Sequence, residues 1–98
     1  MEKSVNIDRI VHIMAVMYGC KAEVVISNEE CYLFLGTNRN KISLHYDEVE
    51  CLAYNEIIEL DSGCDEEGYE TAVYILTENS QERIKAIIKN KKVLLLKE

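Results

Sequence analysis

Two hydrophobic periodicities divide this chain, and they restrict its fold more than any other feature. Near the N-terminus Ile7, Ile10, Val11, Met14, Met17 and Tyr18 recur at intervals of three and four residues, which places them on one face of a helix. Ile13 and Val16 widen the stripe, as expected of a helix lying across a sheet. Ser4 or Asn6 can cap its start, and Gly19 supplies a left-handed stop. Near the C-terminus Ile84, Ile87 and Ile88 repeat the helical spacing behind Asn79 and Glu82, which stand in capping-box register. That helix should end near Asn90.

Between the two helices the period changes to two. Ala22–Ser27 and Cys31–Leu35 read as a hairpin joined by Asn28, Glu29 and Glu30. In its second strand Tyr32 and Phe34 point one way and Cys31, Leu33 and Leu35 the other, so both faces are apolar. After the turn cluster 36–40, Ile42, Leu44 and Tyr46 alternate with polar residues, as in a half-buried strand continuing an antiparallel meander. Glu56–Leu60 and Tyr69–Thr77 read as two further strands around a loop at 61–68, and Val93–Leu96 reads as a final one. Asp47 and Glu50 have capping-box spacing, and Val49, Leu52 and Ala53 keep helical intervals. A short helix is expected there, with a strand running through Tyr54 as the competing reading. Runs of strands bracketed by helices indicate an α+β fold. We expect a mainly antiparallel sheet of about five to six strands, with an N-terminal and a C-terminal helix packed on it.

A chain of 98 residues corresponds to one domain, 1–98. Such a domain buries roughly 60–65% of the surface its unfolded form exposes. That provides one modest core and a shallow groove rather than a deep active-site cavity. Nearly half the residues are hydrophobic, which excludes a disordered acidic chain. Polar residues interrupt the N-terminal segment, so no signal-peptide apolar region is read, and no stretch reaches the length of a membrane span. Cys20, Cys31, Cys51 and Cys64 then read as reduced thiols in a cytoplasmic protein, Cys31 and Cys51 as small core residues. A two-disulfide scaffold is the alternative.

Charge is distributed as unevenly as hydrophobicity. Between Ile42 and Glu82 there are twelve acidic residues and no lysine or arginine. The segment before it has balanced charge. The segment after it carries Arg83 and five lysines against Glu98 alone. The net charge of −7 therefore hides a strongly polarised molecule.

Candidate chemistry is sparse. Asp61, Asp65, Glu67 and Glu70 offer hard oxygen ligands, but an EF-hand register would put Glu66 where glycine is required and Ala72 where the bidentate acid belongs. A solvated hairpin tip accounts for these acids better. No cysteine or histidine pair has zinc-ligand spacing. His12 and His45 lack the accompanying signature of a nucleophilic site, and no glycine-rich phosphate cradle exists. Neither a metal nor a cofactor is expected, and the chain reads as a non-enzyme. The acidic block also disfavours direct nucleic-acid binding.

A solvated face could explain the acids, but dispersed surface charge normally mixes both signs. At ~7 Å in water each unscreened carboxylate pair costs on the order of 0.6 kcal/mol. A cationic partner would offset that repulsion. Alternate strand residues lie ~6.6–6.8 Å apart, close to the spacing of every second phosphate on a DNA strand. The leading expectation is an acidic inhibitor that docks on a basic, nucleic-acid-binding groove of another protein. Its contact residues would be Asp47, Glu48, Glu50, Asp61, Asp65, Glu66, Glu67 and Glu70, with Tyr54 and Tyr69 as aromatic anchors. Small acidic proteins acting against nucleases or bacterial defence systems are analogous in charge and size alone. The alternative is a self-associating homodimer in which the basic C-terminal segment covers the acidic block. A small enzyme using Cys51 or His45 is a third reading.

Overall fold

The computed structural model describes residues 5–63, 71–90 and 92–93. Asn6 starts helix α1 (Ile7–Met17), its side chain accepting the Arg9 amide at 3.0 Å. Tyr18 caps the other end, and Gly19 follows at φ +78°. Strands β1 (Ala22–Ser27) and β2 (Glu30–Leu35) form a hairpin with Ser27 opposite Glu30. Its turn is therefore two residues long, Asn28 and Glu29, both at positive φ as the twist of a two-residue hairpin requires. Strand β3 (Asn40–Leu44) continues the meander.

The chain is helical over the disputed stretch: α2 spans Tyr46–Tyr54. Tyr46 is thus the first helical residue and not the end of a strand, and His45 is the N-cap. The capping acid also differs from the expected Asp47–Glu50 pair. The Glu48 carboxylate accepts the His45 backbone N–H at 2.9 Å. Glu56 then turns the chain at φ +64°, and β4 (Ile58–Gly63) begins two residues later than expected. Gly63 faces Ala72 across to β5 (Ala72–Leu76), so three residues assigned to the loop belong to a strand. Helix α3 (Ser80–Asn90) follows Asn79, whose carbonyl accepts the Arg83 amide. Val93 lies outside any strand and the rest of the expected strand 93–96 lies outside the described residues, as do Ser4 and Cys64.

The five strands form one antiparallel sheet in the order β3-β2-β1-β5-β4. One sheet face carries Val24, Ile26, Cys31, Leu33, Leu44 and Ala72 into the core. Ile10, Met14 and Met17 of α1, Val49 and Leu52 of α2, and Ile84 and Ile87 of α3 join the same cluster. All three helices therefore cover one side of the sheet. This is an α+β fold with its N- and C-terminal helices packed on a five-stranded antiparallel sheet. No described helix is long and apolar enough to cross a membrane.

Candidate functional site

The expected contact residues separate into four groups. Asp47 and Glu50 lie in α2, both partly buried, and Tyr54 is 49% exposed at its last turn. Asp61 is exposed on β4. Asp65, Glu66, Glu67, Tyr69 and Glu70 lie outside the described residues.

Glu48 forms its own group and has to be corrected. It is 2% exposed, and its carboxylate accepts Arg9 Nε at 2.6 Å as well as the His45 amide. Arg9 also donates to the Ser43 carbonyl at 2.7 Å, so the guanidinium joins α1, β3 and α2. A buried carboxylate needs such partners to offset lost hydration. Glu48 is thus a structural charge, and it offers nothing to an incoming cation.

Among the described residues strand β4 pairs only with β5 and forms one edge of the sheet. It carries Glu59 and Asp61, both exposed, just after the exposed Glu56. A register shift between Leu60 and Ser62 makes Asp61 part of a bulge, a device that re-aims a side chain at a strand edge. Helix α2 packs against both β2 and β4; its first turn, with Asp47, directly follows β3 at the opposite edge, and its last turn leads through Glu56 into β4.

The sheet face opposite the helices has a composition of its own. Cross-strand register aligns Lys41, Phe34, Glu23, Ile75 and Glu59 in one row from edge to edge. A second row aligns Ser43, Tyr32, Val25, Val73 and Ser62. Paired residues share a face, and all five apolar members are half-buried without belonging to the core cluster. Cations cover the β2 aromatics: Arg39 Cζ lies 4.4 Å from the Phe34 ring centroid and Lys41 Nζ 4.5 Å from that of Tyr32. Arg39 also pairs with Glu23 at 3.1 Å. The Tyr32 hydroxyl donates to Glu30 at 2.6 Å, and that bond, with the carboxylate's charge, raises the phenol's pKa. The face is therefore basic at the β3 edge, apolar at its centre and acidic at the β4 edge.

Comparison settles no identity. No protein-family model, curated protein or solved structure matches the chain. The site is therefore read from its own chemistry.

Cys51 is 2% exposed, and burial, followed by the charge of Glu48, pushes its thiol up to about 11. A thiol that stays protonated at neutral pH is a poor nucleophile. His45, the alternative residue in that reading, is exposed at the α2 N-cap. Among the described residues no three His, Cys, Asp or Glu side chains are grouped to hold a metal ion. Sequence reasoning paired Tyr32 with Phe34 on one face but missed Lys41, Arg39 and Glu59 as its flanks. The alternation was visible, whereas the register that aligns them across five strands was not.

Proposed function

We propose that this protein is a non-enzymatic acidic binding protein, an inhibitor that docks its carboxylate-rich edge on a basic, nucleic-acid-binding groove of a partner protein. One observation carries the reading: Glu59 and Asp61 lie exposed on β4, an edge strand among the described residues, just after the exposed Glu56. They belong to a 41-residue stretch, 42–82, without a single lysine or arginine. Such a field attracts a cationic groove from a distance and raises the rate of association. The buried Glu48 is excluded from this surface. Tyr54, half-exposed at the end of α2, is an aromatic available to it.

The test is capture from native cell extract on the immobilised protein, with elution by stepped salt and, separately, by a short DNA duplex. A partner held through a nucleic-acid-binding groove leaves the column with either eluent. A variant carrying Glu59→Gln, Asp61→Asn, Asp65→Asn and Glu67→Gln should retain little of it. Capture that resists both eluents, or that the variant retains in full, overturns the reading.

A further inference from the structure

The sheet face turned away from the helices is a docking surface, and we infer that its occupant is a second copy of this chain. The inference shares Glu59 with the proposed acidic edge but is otherwise independent of that docking. It rests on the order of residues across the sheet.

Consider a twofold axis running parallel to β1, between two such faces. It sets β3 of one subunit over β4 of the other and β2 over β5. The row Lys41, Phe34, Glu23, Ile75, Glu59 then meets its own reverse. Lys41 faces Glu59 at both ends, and Phe34 faces Ile75. In the second row Tyr32 faces Val73, Ser43 faces Ser62, and Val25 meets its symmetry mate on the axis. Twofold interfaces need this self-complementarity, each patch binding its own copy. Opposite charges meet at both rims while aromatic and β-branched side chains meet in the middle. Face-to-face sheets keep their strand directions within about 30° of each other, and this arrangement, with β1 parallel to its mate, lies in that range.

Glu23 is the one unfavourable element, because it also approaches its mate near the axis. Its pairing with Arg39 at 3.1 Å lowers that cost, since the guanidinium stays with the carboxylate. Lys41 and Arg39 lie over the aromatic rings in the single chain; Lys41 can swing from Tyr32 to the facing carboxylate, whereas Arg39 stays with Glu23 and stacked on Phe34, so the facing Ile75 packs against that stacked pair. Five strands at ~4.8 Å spacing and five residues at ~3.4 Å give a face of roughly 24 by 17 Å. That area lies at the low end for specific association. The dimer should accordingly be weak and concentration-dependent, with a dissociation constant on the order of micromolar.

Sedimentation velocity across about 1–500 μM protein brackets such a constant. The wild-type chain should pass from monomer to dimer in that range. Val25→Lys places two like charges on the axis and should abolish the dimer, with circular dichroism verifying that the monomer keeps its fold. K41E sets like charges at both rims and should weaken dimerisation on the order of tenfold or more. The charge swap K41E/E59K restores opposite charges and should recover it. That recovery is the decisive measurement, because damaged folding would not be rescued by a second charged substitution. A wild-type monomer at every concentration overturns the inference. A dimer unaffected by Val25→Lys, or a charge swap that fails to recover it, overturns the inference equally.

Discussion

Glu48 and Arg9 show how one contact reassigns a residue. Of the described acids in the central block it is Glu48 that lies buried, held by an arginine 39 positions earlier in the chain. Replacing Arg9 by Met leaves that carboxylate in the interior with the His45 amide as its remaining donor. We expect a loss of about 2–3 kcal/mol, below the usual cost of breaking a fully buried pair because Arg9 itself is half-exposed. Urea denaturation measures it, and a double-mutant cycle with Glu48→Gln should return a coupling of roughly 1 kcal/mol or more. Cys51 gives a second test. Its thiol titrates higher in the folded chain than in the unfolded one, so between pH ~9 and about 11 the unfolded state loses the proton first. Stability should fall as pH rises through that window, and the Cys51→Ala variant should lack this component. Over the same range a thiol reagent should label exposed Cys20 quickly and Cys51 only at the rate of opening.

At the scale of elements, the β4–β5 pair depends on one glycine. Gly63 sits at φ +84°, and a Cβ there would lie 1.8 Å from the Thr71 carbonyl oxygen. Gly36 has a similar φ of +71° but open space around it. Gly36→Ala should therefore cost only the left-handed backbone penalty, about 1–2 kcal/mol. Gly63→Ala must also displace backbone and should cost at least ~1–3 kcal/mol more. The difference in urea midpoint between the two variants checks the claim. The start of α2 makes a related point about caps. Asp47 and Glu50 have capping-box spacing, yet Glu48 makes the contact, because burial against Arg9 fixes its carboxylate over the His45 amide. A cap is chosen by which side chain is held in place, and spacing alone supplies several candidates.

For the molecule as a whole, the acidic block should lower stability at low ionic strength. Between about 10 mM and 0.5 M NaCl the Debye length falls from ~30 Å to a few Å, which screens exposed carboxylates far more than the buried Arg9–Glu48 pair. The melting temperature should rise by roughly 3–6 °C over that interval, equivalent to relief of about 1 kcal/mol. A flat or falling melting temperature would mean that the exposed acids do not repel one another appreciably in the fold. Thermal unfolding at a fixed low protein concentration keeps this effect separate from self-association.

The two periodicities determined the element types and the class of fold. Apolar spacing of three and four fixes which helical residues face inward, and alternation fixes which strand residues share a face; both are local properties of the backbone. The N-terminal helix and the meander were legible for that reason, and the core positions of Cys31 and Cys51 from their reading as small reduced thiols. Tertiary structure decided what local spacing cannot carry. It buried Glu48 against Arg9, extended β4 to Gly63 through pairing with Ala72, and inserted β5 between β1 and β4. It also aligned Lys41, Phe34, Ile75 and Glu59 in one row. Each of these depends on register between segments far apart in the chain, and register follows from packing the whole sheet against its helices.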